Sequence, residues 1–110
     1  MTTDLNGFRK DREGAFIVKD PQSTLDYSVD WSDWLVGADS ISTSTWVLGT
    51  FTGDTAPIVK TAENTANGIA TIYLRGGTAG KIYRITNRIV TSSGLTDERY
   101  FRLVIKDKSA

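Results

Sequence analysis

The sequence predicts an all-β chain, an antiparallel β-sandwich of about seven strands preceded by an extended N-terminal arm. Three observations lead there. Apolar residues recur at every second position in several short runs, the period of a half-buried strand, and the helical i, i+3, i+4 spacing recurs over no useful length. The runs are separated by turn formers such as Asp20-Pro21, Gly53-Asp54, Gly76-Gly77 and Ser93-Gly94. With 110 residues, 39% of them hydrophobic, the chain can bury one core and not two.

Residues 1–14 (MTTDLNGFRKDREG) are polar, mixed in charge and aperiodic, and are read as the arm; residues 15–110 form the sandwich. The first strand is Phe16-Ile17-Val18. The second runs from Leu25 to Trp31 and alternates strictly, Leu25, Tyr27, Val29 and Trp31 on one face and Asp26, Ser28 and Asp30 on the other. Between Ser40 and Gly49 a third strand buries Trp46 and Leu48 while Thr43 and Thr45 face out. Phe51-Thr52 forms a short addition, and Ile58-Val59 another after Pro57. Ile69–Leu74 is the next strand. Ile82–Val90 turns Tyr83, Ile85 and Ile89 inward and Arg84, Thr86 and Arg88 outward, and Glu98–Ile105 turns Phe101, Leu103 and Ile105 inward. Ser93-Gly94 between the last two long runs is a hairpin signal, so those strands pair.

Composition removes whole classes of function. There is no Cys and no His, hence no thiol nucleophile, imidazole base, disulfide or common zinc site. No apolar run approaches the roughly 18 residues needed to span a bilayer, and the N-terminus lacks the layout of a signal peptide. No membrane or nucleic-acid partner and no cofactor is expected. The 13 basic and 13 acidic residues cancel, but unevenly. From Phe16 to Asp54 only Lys19 stands against six acids; from Arg75 to Lys108 eight bases stand against three acids.

Four groups of residues invite a functional reading. The acidic series Asp26, Asp30, Asp33 and Asp39 suggests hard-cation ligation, but Asp26 and Asp30, on one face, lie about 13 Å apart along a strand, too far to share one cation, so only Asp30 with Asp33, across a bend, could converge. Paired carboxylates serve glycoside hydrolysis, but nothing here marks a cleft between them. Trp31 and Trp46 keep step with the core, whereas Trp34 is out of phase and is the candidate exposed contact aromatic. Arg84 and Arg88, with Arg99, Arg102 and Lys106 on the neighbouring strand, build a basic face suited to acids across the sheet or on a partner. Gly76-Gly77-Thr-Ala-Gly80 lacks the Lys-Ser/Thr ending of a phosphate loop and reads as a turn.

The runs Leu25-Asp-Tyr-Ser-Val-Asp-Trp-Ser-Asp-Trp-Leu35, Ser44-Thr-Trp46, Leu74-Arg-Gly-Gly-Thr-Ala-Gly-Lys-Ile-Tyr83 and Thr86–Arg99 resemble small immunoglobulin-like proteins encoded among the virion genes of tailed bacteriophages. The resemblance spans about residues 16 to 107 and carries no catalytic residues. It implies an immunoglobulin-like sandwich and a non-enzymatic virion component made in the bacterial cytoplasm. The first placement is capsid decoration or cement, bound to the major capsid protein or other virion proteins through the arm and one charged face. The alternatives are a neck or tail accessory protein, or a carbohydrate- or host-surface-binding module using Trp34. Association with copies of itself is also expected. The candidate partner-binding residues are Phe8, Arg9 and Arg12 in the arm, Trp34, and Arg84, Arg88 and Arg102 on the sheet.

Overall fold

A computed structural model describes residues 9–11, 14–35, 37 and 39–107. Among these the chain forms eight strands and no helix: β1 (Arg9–Asp11), β2 (Gly14–Lys19), β3 (Thr24–Asp30), β4 (Ile41–Leu48), β5 (Ile58–Ala66), β6 (Ile69–Gly76), β7 (Ile82–Thr91) and β8 (Thr96–Ile105). They make two sheets, a five-stranded one in the order β1-β2-β8-β7-β4 and a three-stranded one in the order β3-β6-β5. The facing triplets β3-β6-β5 and β8-β7-β4 follow the B-E-D and G-F-C orders of an immunoglobulin sandwich. Pairing is antiparallel except between β2 and β8, where Phe16–Lys19 runs parallel to Arg102–Ile105.

The alternation read from the sequence becomes the core. Val29, Trp31, Ile72, Leu74, Tyr83, Ile85, Ile89, Phe101, Leu103 and Ile105 are fully buried, and Trp46 is nearly so. Asn87 lies among them: its Oδ1 accepts the Trp31 indole N–H at 2.9 Å, and its Nδ2 donates to Ser44 Oγ at 2.9 Å and the Thr45 carbonyl at 3.2 Å. These bonds tie β7 to β4 in one sheet and to the end of β3 in the other, and they satisfy a polar group that would otherwise be costly to bury. At the opposite end Lys19 is also buried, its Nζ donating to the Asp20 and Gly76 carbonyls at 2.8 Å each. Burial lowers its pKa.

The turn after β6 is built on glycine for a packing reason. Gly77 has φ +101°, and a Cβ there would lie 2.8 Å from Ile105 Cδ1 and 3.0 Å from Ile58 Cδ1. Just beyond, the Tyr83 hydroxyl accepts the Thr78 backbone N–H at 3.0 Å and donates to Asp54 Oδ2 at 2.5 Å. This is the tyrosine-corner arrangement of immunoglobulin-like sandwiches.

Three expectations change. Ile58-Val59 is only the start of a nine-residue strand, because Lys60–Ala66 pairs with β6 as an exposed edge. Backbone bonding makes this strand, and no apolar alternation announces it. Phe51-Thr52 is a loop segment and not a strand; Phe51 stands edge-on to Tyr83 with ring centroids 5.2 Å apart. Part of the leading segment, Arg9–Asp11, pairs antiparallel with Gly14–Phe16 and adds an edge strand to the larger sheet.

Candidate functional site

The outer face of the five-stranded sheet is assembled from alternate residues of four strands. β7 supplies Ile82, Arg84, Thr86, Arg88 and Val90; β8 supplies Glu98, Tyr100, Arg102 and Val104; Phe16 and Val18 of β2 and Val47 of β4 complete it. The register sets Arg84 directly opposite Arg102 and Arg88 opposite Glu98. Like charges directly opposite on a sheet are unfavourable, and here each guanidinium lies over an aromatic ring. Arg84 sits 4.1 Å from the Tyr100 ring centroid and Arg102 5.5 Å from that of Phe16. Tyr100, Ile82 and Val47 are 42%, 49% and 57% exposed. Arginine, aromatic and aliphatic surface in one patch is the composition of a protein-binding face.

The outer face of the three-stranded sheet has the opposite sign. Asp26 and Asp30 project from β3 on either side of Ser28, whose hydroxyl meets that of Thr71 at 2.8 Å. Tyr73, opposite Asp26, is 40% exposed, and Arg75 lies beside Thr24 at the far end of β6. Two sheets packed back to back thus turn the uneven charge of the sequence into two faces.

The basic face differs from the expected one at Arg99. That residue follows the inward phase of β8, bonds Asp97 at 2.7 Å and stacks 5.0 Å from the Trp31 ring centroid, while Tyr100 occupies the outer face instead. Trp34 is also not a free-standing platform. It is half-buried, packs against the core and meets Trp31 edge-on with centroids 5.7 Å apart. A turn after β3, closed by the Trp34 N–H donating to the Trp31 carbonyl at 2.8 Å, brings it back toward the interior, which strand phase alone does not anticipate. Phe8 and Arg12 lie outside the described residues, and of Arg9 only the backbone pairing in β1 is described.

At the end of the sandwich that carries residues 31–35, 39–40, 67–68 and 92–95, Asp39 lashes two loops together. Its Oδ1 accepts from Ser92 Oγ at 2.5 Å and from the Ser93 N–H at 3.1 Å, and its Oδ2 accepts from Ser93 Oγ at 2.7 Å. The Ser92 and Ser93 hydroxyls hold this carboxyl well below the usual carboxylate range. A pocket of about 410 Å³ opens beside it, lined by Ser32, Leu35, Asp39, Ile41, Thr65 and Asn67 among others. Asp30 accepts the Ser32 N–H at 2.9 Å, and no three acidic side chains converge among the described residues. Asp39, a member of the acidic series weighed for a cation, is instead a clasp between loops, and Tyr100 is the contact residue that the sequence reading did not name; the signal for the adjoining β5–β6 hairpin is Asn67-Gly68, whose positive φ values of 54° and 78° suit a type I′ turn.

Comparison with known proteins adds one positive finding. Residues 19–104 match the model of a family described as podophage GP4 fiber-tail adaptor protein gp77. The match covers the end of β2 and nearly all of β3–β8, hence both charged faces. No curated protein matches the chain.

Proposed function

Because the chain belongs to the podophage GP4 fiber-tail adaptor protein gp77 family, and is thereby a phage virion structural protein, we propose that it is a non-enzymatic adaptor holding a fiber to a podophage tail. The observation that carries this reading is the match across the sandwich itself, with its two faces of opposite charge. An adaptor needs at least two contact surfaces, and rigid sheet faces present fixed ladders of side chains better than loops do. The arginine-bearing face, through Arg84, Arg88, Arg102 and Tyr100, is a surface for one virion neighbour, a second copy of this chain included. Phe8, Arg9 and Arg12 in the leading segment extend the contact. The family description favours the tail over the head surface, so a tail protein or fiber replaces the major capsid protein as partner.

Disruption of the gene in the phage that encodes this chain tests the reading. The expected particles have filled heads and tails but lack fibers, and antibody against the protein labels wild-type virions only at the tail. Label spread over the head, or fibers retained on the mutant particles, overturns it.

A further inference from the structure

The two charged faces carry ladders of the same layout. On β7, Arg84, Thr86 and Arg88 project at alternate positions from the outer face of the five-stranded sheet. On β3, Asp26, Ser28 and Asp30 do the same from the outer face of the three-stranded sheet. At the rise of an extended strand, each charged pair spans about 13 Å, with a small hydroxyl residue midway. Each ladder is bordered by a part-exposed tyrosine, Tyr100 opposite Thr86 and Tyr73 opposite Asp26.

We propose that the arginine ladder of one copy docks on the aspartate ladder of a second copy, so that the protein associates head to tail through opposite faces of its sandwich. The charges are complementary and their spacing is equal, so both pairs form at once. The remaining charges choose the orientation. Setting Arg88 against Asp26 and Arg84 against Asp30 brings Glu98, beside Arg88, toward the end of the ladder where Arg75 stands. The reverse orientation turns Arg75 toward Arg84 and Arg102. Because the two surfaces differ, each docked copy still offers one ladder, and association continues until it closes into a ring or runs on as a stack. Exposed ion pairs are individually weak and screened by salt, so the contact assembles at low ionic strength and at the high local concentration of a virion. Self-association of this kind is independent of where in the particle the protein sits.

Sedimentation velocity on the purified protein tests it. The expected result is growth of the sedimentation coefficient with concentration at low salt and its loss at high salt. Arg84→Ser with Arg88→Ser, and separately Asp26→Asn with Asp30→Asn, each remain monomeric, with circular dichroism showing the fold intact. An equimolar mixture of these two variants stops at a heterodimer, since each keeps a single competent ladder. Reversing all four charges restores growth, and Arg88→Asp is rescued by Asp26→Arg but not by Asp30→Arg. A wild-type protein that stays monomeric throughout, or neutralised variants that associate like wild type, or a mixture that grows beyond two, overturns the proposal.

Discussion

Arg84 and Arg102 stand directly opposite each other across β7 and β8, two like charges on neighbouring strands, each laid over an aromatic ring from its own sheet face. Cross-strand pairs of like charge cost a few tenths to about 1 kcal/mol, so stability alone does not favour this arrangement. Arg84→Thr is therefore expected to leave the urea midpoint unchanged or to raise stability by up to about 0.5 kcal/mol, while reducing incorporation into particles. A variant that unfolds earlier than wild type and incorporates normally would place the role of Arg84 in the fold and not at a contact.

Asn87 is the polar node of the core, and its removal strands partners on both sheets. Asn87→Ala leaves the Trp31 indole N–H and Ser44 hydroxyl without their bonds, at a cost of about 2–3 kcal/mol. Chemical denaturation followed by Trp fluorescence measures it. A loss under 1 kcal/mol would mean that water replaces the side chain.

Tyr83→Phe keeps the ring in the core and deletes only the hydroxyl between Thr78 and Asp54. The expected loss is about 1–2 kcal/mol, with native-state hydrogen exchange accelerating selectively at the Thr78 amide. Unchanged protection at that amide would refute the tyrosine corner as the clasp of this turn.

At Gly77 a methyl group has nowhere to go. Gly77→Ala meets Ile105 and Ile58 and demands a left-handed backbone from an L-residue, so about 2–4 kcal/mol should be lost in thermal or urea unfolding. Gly94→Ala, at φ +94° but with open space around it, pays the backbone cost without the clash and should lose less. Equal losses would show that packing at Gly77 is irrelevant.

Asp39 supplies a pH dependence of definite sign. Its carboxyl is held below the unfolded value of about 3.9 by the Ser92 and Ser93 hydroxyls, so the stability it contributes is present above that pH. That contribution is lost as pH falls through the lower, folded value. Asp39→Asn should thus be less stable than wild type near neutrality, and the difference should shrink on acidification. A gap between the two urea midpoints that stays constant from pH 7 to strong acid would show that the Ser92–Ser93 contacts carry no charge dependence.

Much of the sandwich was legible because its core strands alternate. Tyr27, Val29, Ile85, Ile89, Leu103 and Ile105 all point where period two places them, and Arg84, Arg88 and Arg102 share the outer face expected of them. Legibility failed where burial is not what makes the element. Lys60–Ala66 is a strand because its backbone bonds β6, and its side chains, exposed on both faces, leave no periodic trace. Arg99 departs for a different reason: it follows the inward phase, and at the part-exposed edge of the core its charge is met by Asp97 and the face of the Trp31 ring. Trp34 returns to the core through a bend whose angle no spacing rule specifies.

Residue order alone sets which side chains alternate, and hence the two sides of each strand, because a pleated backbone converts a period of two directly into faces. Which strands share a sheet emerges only in the folded chain. Residues 16–19 run parallel to residues 102–105 across most of the chain length, and the bonds that join them are between backbone groups with no side-chain signature. That pairing, and the packing of two sheets back to back, put the aspartates of β3 and the arginines of β7 on opposite faces, turning a balance of charge along the chain into two complementary surfaces.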